Sequence, residues 1–140
     1  MPLITRWMLK TSLIYFLLAL IVGLLQSAAP IFDPGLTFPW LSHLEPVRIH
    51  LFVIGWLTLL IFGVAFWMFP KYNQAKPRGF AWLAWSTYGF LNIGLVLRAI
   101  GESAAEPGGV YGWVLVVSSL FLWLAGLAFA INTWPRIKEK

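Results

Sequence analysis

One histidine, His50, stands at the head of an apolar run, Leu51 to Phe69, that holds no other ionisable side chain. An ionisable group inside a membrane helix is costly, so it usually has a partner or a task. Imidazole is also the side chain that most often ligates transition metals, heme iron among them. Arg48 lies two residues before it, and a later apolar segment carries Arg98 and Glu102. Arg98 and Glu102 are four apart and can pair along one helix face. Two guanidinium groups at one depth beside a histidine suit a ligand with two carboxylates, because arginine grips carboxylate in a forked geometry. Heme, with its two propionates, is such a ligand. The spacing therefore nominates His50 as a metal ligand, with Arg48 and Arg98 as its cofactor-binding companions.

Plainer roles exist for each residue. A single membrane histidine can hydrogen-bond a neighbouring helix, and Asn92 in mid-span can act as interhelical glue. Arg48 and Arg98 can extend their heads to the lipid headgroups. His43 and His50 are seven apart, whereas helical ligands to one metal come at three or four residues, so His43 reads as a loop residue. No carboxylate lies in mid-membrane, which argues against a proton-coupled transporter. There is no Ser/His/Asp set and no glycine-rich phosphate loop. The absence of cysteine excludes disulfides and thiolate metal sites. The net charge of +5 does not imply nucleic acid, because the basic residues sit at loop ends rather than on one face.

Those residues need a bilayer scaffold. The chain is 60% hydrophobic and 11% charged, too little charge for the surface of a soluble domain of 140 residues. Four stretches approach the roughly 20 residues needed to cross a membrane: about 11–29, 47–69, 80–100 and 110–134. The first has the form of a signal peptide, with Arg6 and Lys10 ahead of it and Ser27-Ala28-Ala29 after it, but is read as a true span. The expected fold is all-α: a single integral membrane domain, residues 1–140, built as a four-helix antiparallel transmembrane bundle. Basic residues at both termini and in the second loop predict that both termini are cytoplasmic. His50 then lies near the extracytoplasmic rim, about 10 Å along a helix starting near residue 43, where Ser42-His43-Leu44-Glu45 has the form of a capping box. Trp7, Trp40, Trp67, Trp82, Trp113 and Trp134 fall at predicted interfaces. Gly94, Arg98 and Gly101 share a face of the third span. Gly112, Ser119 and Gly126 recur at heptad spacing on the fourth, with Ala130 one turn on, as a close-packing stripe.

Pro46-x-Arg48-x-His50, Gly55-Trp56, Gly63-Val64-Ala65-Phe66 and Phe69-Pro70-Lys71 resemble the second transmembrane helix of subunit I of heme-copper oxidases. The C-type oxidase and nitric oxide reductase branch is the nearest in flavour. Asn92-x-Gly94-x-x-x-Arg98, followed by Gly101-Glu102, is similar to the third helix of short proteins of this type. The resemblance covers about a quarter of the chain and implies that His50 is an axial ligand of a low-spin heme b. It departs from the family in having no histidines for a binuclear site, so the chain is not an oxidase by itself. The expectation is a heme b protein of a prokaryotic cytoplasmic membrane, serving electron transfer or the handling of nitric oxide or oxygen near a respiratory chain. It would act as a homodimer or as a subunit of a respiratory complex. The alternative is a non-enzymatic accessory or assembly subunit without heme.

Overall fold

The computed structural model describes residues 1–32, 41, 43–72, 79–104 and 109–137. Within them lie four long helices and no strand: α1 (Leu3–Phe32), α2 (Leu44–Met68), α3 (Ala81–Glu102) and α4 (Gly109–Thr133), the last followed by a 3-10 turn, Trp134–Arg136. Each is long and apolar enough to cross a membrane. The expected all-α bundle is thus present. The first span is longer than hydropathy alone suggests, because helix geometry persists through the polar turns ahead of its apolar core. α1 runs through Pro30, which sits in its last turn and removes only one backbone donor there.

Contacts along the helices fix their register. Gly63 faces Met8, Gly55 faces Tyr15 and Gly23 faces Arg48, so α1 and α2 are antiparallel. Gly94 faces Leu122 and Gly101 faces Leu115, so α3 and α4 are antiparallel as well. Tyr15 Oη donates to Asn92 Oδ1 at 2.6 Å, and Thr11 and Tyr88 share a 2.8 Å hydroxyl contact, which ties α1 parallel to α3. Asn92 also donates to its own helix at Tyr88 O, so it is the interhelical glue that its position suggested. The core holds Met8, Leu59, Phe66, Ala84, Leu91 and Ala125 at one level, and Ala19, Val47, Leu51 and Leu95 at another. Around it the pattern inverts: Ser12, Thr87, Ser118 and Asn132 are buried, while Leu24, Trp123 and many other large apolar side chains face outward. Water would not tolerate that exterior, but hydrocarbon does.

Two details differ from the expected packing. The close approach of α3 to α4 uses the glycines of α3, not Gly112 or Gly126 of α4. A Cβ on Gly94 would lie 2.8 Å from Leu122 Cδ2, and one on Gly101 would lie 2.7 Å from Leu115 Cδ2. A Cβ on Gly112 or Gly126 would meet nothing within 4 Å. Heptad spacing says that the stripe shares a face; it does not say which face turns inward. The second detail is a π-helical stretch, Leu51–Thr58, which begins immediately after His50. Thr58 Oγ1 donates to Val53 O, five residues back, at 2.9 Å. Gly55, within this stretch, lets Tyr15 and Leu95 come to 2.8 and 2.9 Å of where its Cβ would sit. A widened turn of this kind re-aims the side chains on either side of it.

Candidate functional site

His50 is held from its own helix and from the next. Its Nδ1 lies 2.8 Å from Pro46 O, one turn earlier, and 3.1 Å from Glu102 Oε2 at the end of α3. Pro46 is tolerated there because it falls in the first turn of α2, where backbone N–H groups have no intrahelical partner. With the Nδ1 proton directed at a carbonyl, the neutral imidazole carries its lone pair on Nε2. The ring is about a quarter exposed (25%), while Glu102 is more enclosed at 11%.

Glu102 joins three helices. Its Oε1 accepts from Arg98 Nε at 2.9 Å. Arg98 Nη1 in turn donates to Ser119 Oγ of α4 at 2.8 Å, and that hydroxyl donates to Leu115 O at 2.9 Å. Oε2 is buried and has no aligned hydrogen-bond donor among the described residues, because the nearby imidazole N–H is directed at Pro46 instead. A buried carboxylate oxygen beside an imidazole can turn the ring's donor toward itself. A carboxylate so placed can orient a metal-ligating histidine. The arrangement can therefore present Nε2 to a metal.

The chain matches no protein-family model, no curated protein and no solved structure. Its chemistry is therefore read from the site itself.

Of the three residues nominated from sequence, His50 and Arg98 come together through Glu102, and Arg48 does not join them. Arg48 Nε and Nη2 donate to Glu45 at 3.0 and 2.5 Å, and its stem crosses toward Gly23 of α1. It lines a groove of about 490 Å³ between α1 and α2, with Ala19, Gly23, Ser27 and Phe52, and His50 is not among the lining residues. The reason is helical geometry: residues two apart on a helix point to different sides. Glu45 thus pairs with Arg48 and not with His50. His43 occupies the position before α2 without a side-chain cap, and Ser42, the other half of the expected capping box, lies outside the described residues. Trp40 also lies outside them. No group of three or more His, Asp or Glu side chains that could hold a metal ion occurs among the described residues.

Sequence reasoning missed Arg136. It is fully buried at the opposite end of the bundle, where its Nε donates to Pro70 O at 3.0 Å and its Nη2 to Phe69 O at 2.8 Å and Phe66 O at 3.2 Å. The last carbonyls of a helix have no intrahelical partners, and a cation there also meets the negative end of the helix dipole. Arg136 closes α2 in this way. The available signal was Trp134-Pro135-Arg136, a proline that turns the chain back just after α4, opposite a helix ending at Phe69-Pro70.

Proposed function

We propose that this chain is a membrane heme b-binding protein in which His50 ligates iron through Nε2, serving electron transfer or the handling of a small gas beside a respiratory chain. The observation that carries the reading is the Nδ1 of His50, held against Pro46 O with Glu102 close by, which leaves Nε2 as the coordinating nitrogen. The resemblance of Pro46-x-Arg48-x-His50 to the heme-bearing helix of heme-copper oxidases supports it. Arg98 is the cation that stands beside this histidine through Glu102 and remains the candidate to meet a propionate. Arg48 lies on the other flank of α2 and is not assigned that role.

Bound heme would supply a one-electron couple or a gas-binding iron. The part of this chain is to fix the imidazole tautomer and ring angle through Pro46 O and to keep the site in an apolar bundle. One such histidine per chain leaves iron one protein ligand short of a low-spin pair. A two-fold dimer, in which each copy contributes His50, would complete it, because symmetric copies offer the same residue to the axis. In the proposed orientation both termini are cytoplasmic and His50 lies near the outer rim of a prokaryotic cytoplasmic membrane.

The second reading, an accessory subunit without heme, is favoured by one observation. Arg98, Glu102 and Ser119 already satisfy one another across α3 and α4, as a purely structural lock would. A reduced-minus-oxidised spectrum of the purified protein, expressed with ample heme, separates the readings. Sharp low-spin b bands support the dimeric ligand pair, and a carbon monoxide shift supports an open coordination position. No Soret band overturns the heme reading and leaves the accessory subunit.

A further inference from the structure

We propose that the groove between α1 and α2 at the His50 end binds a zwitterionic phospholipid whose headgroup carries a primary ammonium, of the phosphatidylethanolamine class. The groove holds about 490 Å³ and changes character along its length. Ala19, Leu20, Leu24 and Phe52 line the apolar part, and Gln26, Ser27, Glu45 and Arg48 line the polar part. That gradient follows a lipid from acyl chain to headgroup. Gly23 makes room between the two: a Cβ there would lie 3.4 Å from Arg48 Cδ, so the absent side chain lets the arginine stem lie across α1.

The charges are the specific part. Glu45 and Arg48 form an ion pair one turn apart at the mouth, with side chains 48% and 38% exposed. Arg48 spends Nε and Nη2 on the carboxylate, while Nη1 lies on the groove side, 3.9 Å from the Cβ position of Gly23. A phosphate oxygen in the groove can accept from Nη1. An ammonium can donate to lone pairs of Glu45 that Arg48 leaves open, since a carboxylate has about four acceptor sites. A paired cation and anion side by side thus complement a headgroup with the same two charges. An anionic headgroup would meet Glu45 as a like charge, and a choline headgroup has no N–H to donate. An exposed ion pair of this spacing contributes little to folding by itself, which leaves its placement at a lipid-facing groove to be explained by what it meets.

The test is native mass spectrometry of the full chain in detergent, titrated separately with phosphatidylethanolamine, phosphatidylcholine and phosphatidylglycerol. The expected result is retention of phosphatidylethanolamine at least several-fold above the other two. Glu45→Gln should abolish the preference over phosphatidylglycerol, and Arg48→Gln should lower retention of all three. Gly23→Leu, which fills the groove without touching either charge, should lower phosphatidylethanolamine retention while the helical circular dichroism is unchanged. Equal retention of the three lipids by the wild-type chain would overturn the proposal. So would a preference that survives both Glu45→Gln and Gly23→Leu.

Discussion

The two ends of the bundle each join neighbouring helices through an arginine, and they do so in opposite ways. At one end Arg136 is buried and donates to carbonyls of Phe66, Phe69 and Pro70, none of which can change charge. At the other end Arg98 meets Glu102, Glu102 meets His50, and the imidazole remains a quarter exposed. Those carbonyls serve to hold the helix end. The second joint sets an imidazole beside a buried carboxylate. Cations at helix ends are therefore not equivalent signals: the chemistry lies in what accepts from them.

Substitutions can break this contrast. Removing the sealed joint should cost most. Arg136→Ala leaves three carbonyls without a donor, and with each unmet bond worth about 1 kcal/mol or more the loss should be on the order of 3 kcal/mol. Thermal melting in detergent should show it directly, with Arg136→Lys recovering part of the loss. Glu102→Gln should cost about 2 kcal/mol, the scale of a charge-assisted hydrogen bond. Equilibrium unfolding in mixed micelles would read that value, and a loss equal to that of Arg136→Ala would erase the distinction drawn here. Gly94→Val drives a branched side chain into Leu122 and should cost about 1–2 kcal/mol through overpacking, without altering pigment. Smallest of all is Ser118→Ala. Ser118 Oγ donates to Gly94 O at 2.7 Å between α3 and α4, and such bonds in membranes average about 0.6 kcal/mol. A double-mutant series with Gly94→Val would show whether these two contacts act as one.

Much of the scaffold was legible beforehand because hydropathy and length are strong constraints in a bilayer. The four spans and the role of Asn92 follow from them. His50 stood out for the same reason, as a single ionisable group beside a long apolar run. What the sequence left open was rotational phase. Arg48 and His50 share a depth but not a face, and Gly112 and Gly126 share a face that turns outward. Phase is set by packing between helices and by the π-helical turns after His50, and composition carries neither. Arg136 escaped notice because a basic residue after a span reads as an orientation marker, whereas its burial depends on α2 ending where α4 also ends.

The most direct test compares heme content per chain in wild type, His50→Ala and Arg136→Lys, purified from the same heme-supplied cells. Wild type and Arg136→Lys should carry pigment in equal proportion, and His50→Ala should carry none while keeping its helical spectrum. A His50→Ala protein that retains the full complement of heme, or a wild-type protein that takes up none, would contradict the assignment of this histidine.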